Sequence, residues 1–137
     1  MPALDFYHDR VKYALTKEGW TITSDPLTLL VGKRKLHIDL GAERVIAAEK
    51  GALKIAVEIK SFLGKSDVES LEMALGQYFL YSKHLGRLEP DRKLYLAIPD
   101  KAFKELFEEP IGEVLLQDND ISLIVFEEEQ EVLRWIS

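Results

Sequence analysis

The sequence predicts an α/β chain of the α+β kind, a mixed β-sheet flanked by helices. Three observations carry that expectation. Residues 4–18 and 66–85 place apolar side chains at helical spacing, Leu53–Lys60 alternates apolar and polar residues, and Lys93–Ile98 is a near-continuous apolar run. A period near 3.6 marks an amphipathic helix and a period of 2 a half-buried strand. An unbroken apolar strand suits burial on both faces of a sheet.

Each element follows in order. Leu4, Tyr7, Val11, Ala14 and Leu15 form the first helical stripe, and Gly19 supplies its stop. After Trp20-Thr-Ile-Thr and the turn signal Asp25-Pro26, Leu27–Val31 and Arg34–Leu40 read as two strands of a hairpin turning at Gly32-Lys33. In the second of these Leu36, Ile38 and Leu40 are expected on one face, with His37 and Asp39 on the other. Glu43–Glu49 reads as loop or short helix, ending at Gly51. The strand Leu53–Lys60 comes next.

Ser66-Asp-Val-Glu69 is a capping box opening a longer helix, whose stripe of Val68, Leu71, Ala74, Leu75, Tyr78, Phe79 and Leu85 stops at Gly86. Lys93–Ile98 ends at Pro99. A short helix from Asp100 to Glu108, a turn over Ile111–Gln117, and strands at Ile121–Phe126 and Val132–Ile136 complete the chain. No internal repeat, low-complexity linker or Gly/Ser hinge divides it, so residues 1–137 are expected to form one domain.

Composition narrows the class. With 47% hydrophobic and 31% charged residues the chain is ordinary globular material, able to bury a core. There is no cysteine, which excludes disulfides, Cys-ligated zinc and thiolate catalysis and fits a reducing compartment. The start, Met1-Pro-Ala-Leu-Asp-Phe, has no basic segment followed by a long apolar one, and no run approaches membrane-spanning length. The expected location is cytoplasmic, without a membrane anchor.

The net charge of −6 is unevenly spread. Residues 1–104 hold 17 basic and 14 acidic side chains, whereas residues 105–137 hold 1 and 10. A nucleic-acid surface around Lys33-Arg34-Lys35, Lys54, Lys65 and Lys83 is therefore compatible with the charge, although overall acidity opposes tight nonspecific binding.

The chemistry-bearing pattern is Glu58-Ile59-Lys60 with Asp39 ending the previous alternating segment. Along a strand Leu53, Ile55, Val57 and Ile59 share one face, and Lys54, Ala56, Glu58 and Lys60 the other. Glu58 and Lys60 then project side by side. Two carboxylates can hold Mg²⁺ while leaving positions for water and a substrate phosphate, and an adjacent ammonium can hold the attacking water or the phosphate. A Glu-x-Lys on a half-exposed strand also arises from simple surface alternation, with the lysine offsetting repulsion between the acids. The expected cleft is shallow, at the edge of the sheet, with Asp39, Glu58 and Lys60 between the helices at 4–18 and 66–85. His37 shares Asp39's face; His8 and His84 carry less signal. Tyr78, Phe79 and Tyr81 read as helix-packing residues rather than base-stacking platforms.

The order helix, three strands, helix, strand resembles the core of the restriction-endonuclease-like fold, the PD-(D/E)xK superfamily. That resemblance implies that Asp39, Glu58 and the Ile59 carbonyl bind the metal and that Lys60 polarises water. It also implies that Gln77, in the following helix, supports the site as in resolvase-like members. The superfamily's proline is missing, with Ile38 in its place. Over essentially its whole length the chain also resembles the XisH family, the fdxN-element excision controlling factors of cyanobacteria. The residues carrying this are Pro2–His8, Gly19–Thr23, Asp25–Leu27, His37–Asp39, Ala56–Phe62, Ala74–Tyr78 and Leu94–Pro99. The resemblance implies a role in DNA excision beside a separate site-specific recombinase and a small companion, XisI. Two readings follow: a Mg²⁺- or Mn²⁺-dependent endonuclease, or a non-catalytic accessory module that binds DNA, the recombinase or XisI. The acidic end, with Leu133, Trp135 and Ile136, is a candidate for self-association into a homo-oligomer or for folding back on its own domain.

Overall fold

The computed structural model describes residues 6–47, 51–63 and 67–137. Their elements are α1 (His8–Lys17), β1 (Thr21–Ser24), β2 (Leu27–Val31), β3 (Arg34–Ile38), β4 (Leu40–Ala47), β5 (Gly51–Ile59), α2 (Asp67–Leu88), β6 (Arg92–Pro99), α3 (Asp100–Ala102), α4 (Pro110–Gln117), β7 (Leu123–Glu127) and β8 (Val132–Ile136). Between α3 and α4, Phe103–Phe107 forms one π-helical turn.

Six strands make one mixed sheet in the order β1-β4-β5-β6-β7-β8, and β2 and β3 form a separate hairpin. β4 pairs antiparallel with β5, β5 with β6 and β6 with β7 run parallel, and β7 with β8 returns to antiparallel. The parallel β5–β6 step needs a crossover, which α2 supplies.

Alternation along β5 divides the core. Ile55, Val57 and Ile59 pack with Val11, Ala14 and Leu15 of α1 on one face, while Ala56 packs with Leu85 of α2 and Leu27, Leu29 and Ile38 of the hairpin on the other. Leu71 and Ala74 extend the α2 side over Leu96, Ile98 and Val125. The Tyr78 hydroxyl pins α2 to the sheet, donating to the Leu94 carbonyl at 3.3 Å and accepting from the Ser122 amide at 3.1 Å.

Several expectations shift. Gly19 ends α1 as anticipated, at φ +96°. Of the segment expected as loop or short helix, residues 43–47 continue strand β4, whose Leu40 and Ala42 are fully buried in the sheet, and residues 48–49 lie outside the described residues. Thr21–Ser24 adds the edge strand β1. α2 runs through Gly86 to Leu88; Ser66, the first residue of the expected capping box, lies outside the described residues. The expected turn over 111–117 is helix α4, opened by Pro110 at its first turn. Arg34–Leu40 is not one strand. Leu36 and Ile38 pack with the hairpin core, whereas Leu40 enters the α1 core on the opposite face, so the chain bends at Asp39.

At the C-terminus the apolar side chains pack within the chain. Leu133 is buried, and Trp135 stacks on Trp20 at 5.6 Å while its indole N–H donates to Glu18 at 3.1 Å. No helix among the described residues is long and apolar enough to cross a membrane.

Candidate functional site

The bend at Asp39 sits opposite the C-terminal end of β5. Leu40 pairs with Val57, so the next step of that register would set Asp39 against Glu58. There the carboxylates take the place of the ladder. The Asp39 amide donates to Glu58 Oε1 at 3.2 Å, and the Ile59 amide donates to Asp39 Oδ2 at 2.8 Å. Each acid thus holds the other strand's backbone, which explains how Ile38 and Leu40 come to face different cores. Lys60 stays on the ladder through its amide, which donates to the Ala97 carbonyl at 2.9 Å. Its ammonium lies 3.6 Å from Glu58 Oε2.

Glu58 is only 5% exposed. Burial first, and then the negative charge of Asp39, push its pKa from the ordinary 4.5 to about 8, against a smaller lowering by Lys60. Burial raises Asp39 as well, although the Ile59 amide and the positive sides of His8 and Lys60 pull the other way. Glu58 therefore keeps its proton near neutral pH, and the pair carries a single negative charge beside the Lys60 ammonium.

Asp39, Glu58 and Lys60 are therefore brought together as expected, but not at a sheet edge. β5 lies inside the sheet, between β4 and β6, and the site is at the strand's end. Gln77, in α2, has a buried Oε1 without a hydrogen-bond partner among the described residues. One turn further along α2 is Tyr81, whose hydroxyl pKa is raised by burial first and then by the charges of Glu58 and Asp39, placing it near both acids. The sequence predicts a packing role for Tyr81; its spacing from Gln77, four residues along one helix face, is the signal that ties it to the site.

α1 adds a second group. His8 is buried, and its Nε2 lies 2.8 Å from Asp25 Oδ1, while Lys12 donates to Asp25 Oδ2 at 2.8 Å. Burial pushes the Asp25 carboxyl up, but the bonds from Lys12 and His8 outweigh it and leave it below the usual range. His8 sits in the same helical stripe as Val11 and Leu15; a histidine among core positions was the sequence-level clue.

Among the described residues no cluster of three or more His, Asp or Glu side chains is arranged to hold a metal ion. Side-chain ligation would come from Asp39 and Glu58 alone. Two cavities of ≈ 390 and ≈ 530 Å³ lie elsewhere, flanking the β7–β8 turn at Glu127 and Glu128, where the acidic C-terminal quarter concentrates its charge.

The fold and site define a mixed α+β domain with a bonded pair of acids and a lysine at the end of an interior strand. The chain belongs to the XisH family, whose model, described as "XisH protein", matches residues 1–134. It is similar to the crystal structure of an XisH family protein from Nostoc punctiforme, with 41% identity, a TM-score of 0.86, and 97% of this chain and 100% of that one covered. It is also similar to an fdxN element excision controlling factor protein from Anabaena variabilis, with 42% identity, a TM-score of 0.84, and 96% and 98% covered. No curated protein matches the chain.

Proposed function

We propose that this chain acts on DNA during element excision as a metal-dependent endonuclease of the PD-(D/E)xK kind, with Asp39, Glu58 and the Ile59 carbonyl holding Mg²⁺ or Mn²⁺. The carrying observation is the pair of buried Glu58 and half-buried Asp39, held by reciprocal amide bonds with Lys60 3.6 Å from Glu58. The name of the Anabaena variabilis relative supports the link to excision. A bound cation would supply Lewis acidity and a lowered water pKa. Lys60 would orient the attacking water or the phosphate through its three donors. Gln77 and Tyr81 would act from α2 as supporting groups, and exposed Arg34 and Lys35 lie on β3, the strand that leads into Asp39.

The test is calorimetric titration of Mg²⁺ and Mn²⁺ into wild type, Asp39→Asn and Glu58→Gln. Asparagine keeps an acceptor for the Ile59 amide, so the bend survives and only charge is lost. Saturable binding in wild type that both variants abolish is expected; equal binding in all three would sink the reading. The acidic β7–β8 region favours a second reading, an accessory module that binds the recombinase or an XisI-like protein and cuts nothing. Duplex and branched DNA left uncut with either metal at low salt, while such a partner is bound, would decide for it.

A further inference from the structure

α2 has two faces, and the sheet uses one. Leu71, Ala74 and Leu85 are buried against it. On the outer face Met73 is 66% exposed, Phe79 64% and Leu80 45%. Between them lies Gly76, where an added Cβ would meet nothing within 4 Å. Glycine inside a helix costs stability, and nothing among the described residues requires it here. A backbone approaching from outside would.

Two residue pairs of this face are symmetric about that glycine, while Leu80 mirrors Glu72. Met73 and Phe79 lie three residues to either side, and Glu69 and Lys83 seven. At 100° per residue all of them fall within about 60° of Gly76, on one face. The N-terminal half carries Asp67, Glu69 and Glu72, the C-terminal half Lys83 and Arg87.

We propose that this face binds a second copy of the same chain, with the two α2 helices packed antiparallel about a two-fold axis at Gly76. A two-fold interface must be self-complementary, so each residue meets its mirror position. Here Met73 meets Phe79 of the second copy, Glu69 meets Lys83 of the second copy, and both contacts occur twice. Gly76 meets itself, which lets the backbones cross closely. A parallel arrangement would set acid on acid and base on base. The charge order and the central glycine thus single out an antiparallel copy over an unrelated apolar partner. The inference is independent of the chemistry at Asp39 and Glu58.

Analytical ultracentrifugation of the full chain, from nanomolar to high micromolar, should show a reversible monomer–dimer equilibrium. Glu69→Lys and Lys83→Glu should each weaken the dimer by roughly 10-fold or more, because each creates two like-charge contacts. Mixing the two variants should restore a mixed dimer, since opposite charges then face each other in both pairs. Phe79→Glu should give a folded monomer by circular dichroism. A wild type monomeric throughout, whether or not it binds an unlike protein, would overturn the proposal, as would a dimer indifferent to the reversals or no recovery on mixing.

Discussion

The Asp39 amide donates to Glu58 at 3.2 Å, 19 residues away, while the Ile59 amide beside Glu58 donates back to Asp39 at 2.8 Å. The two acids are thus structural before they are chemical. Each stands in for a carbonyl of the sheet ladder, and Glu58 is confined where water scarcely reaches it.

Stability of the metal-free protein should therefore fall as pH rises. Below Glu58's ordinary 4.5 the carboxyl is protonated in both folded and unfolded chains. Between there and about 8 the unfolded chain gains by ionising while native Glu58 holds its proton, so stability is lost across that window. Glu58→Gln should flatten the dependence and raise the melting midpoint above pH 8 by roughly 3–6 °C. Calorimetric melts from pH 5 to 9 check this; parallel profiles for the two proteins would refute it.

If the site cuts DNA, Lys60→Ala should retain metal binding and lower the cleavage rate by about 100-fold or more, the usual cost of losing a positioned charge-stabilising group. Glu58→Ala should lose both binding and cleavage. Gln77→Ala should cost less, as a support outside the ligand set. Single-turnover kinetics on a branched DNA with Mn²⁺ would rank the three.

Arg92 is an anchor at the other end of β5. Only 8% exposed, it donates to the Ile55 carbonyl at 2.9 Å and to Glu89 at 3.0 Å, with Glu43 3.6 Å away. Arg92→Leu should destabilise the fold by about 3 kcal/mol, because Glu43, Glu89 and the carbonyl lose their shared partner. Urea unfolding would measure it without involving the candidate site.

Gly112 is sterically required. A Cβ there would overlap the Leu106 carbonyl, against which α4 turns after the π-helical segment. Gly112→Ala should cost roughly 1–3 kcal/mol despite alanine's better helix propensity. An unchanged denaturation midpoint would mean that α4 moves aside freely.

What the sequence made legible was periodic or chemically paired. The β5 alternation, the α1 and α2 stripes and the Glu58–Lys60 pair were readable because each depends on spacing within a short segment. The bend at Asp39 was not. Leu36, Ile38 and Leu40 alternate perfectly, and only the tertiary bonds to Glu58 and Ile59 reveal that the last of them belongs to another core. β4 escaped for a similar reason: Glu43 and Arg44 break its apolar pattern, although the strand is held on both sides by β1 and β5. Tyr81 and His8 came to the site through helix docking, which one sequence does not encode locally.

The β4–β5 hairpin that joins Asp39 to Glu58 is a local closure, whereas β6 returns to β5 only after the whole of α2 has been traversed. In folding, contacts between near neighbours close first, and long loops are expensive to close early. The acids can meet while Glu58 is still wet, and the sealing of Glu58 by α2 and β6 falls to a later step. Alkaline conditions should accordingly act on the rate of unfolding, leaving the rate of refolding nearly unchanged. The charge that equips the site would then act as a timer on how long the native chain persists.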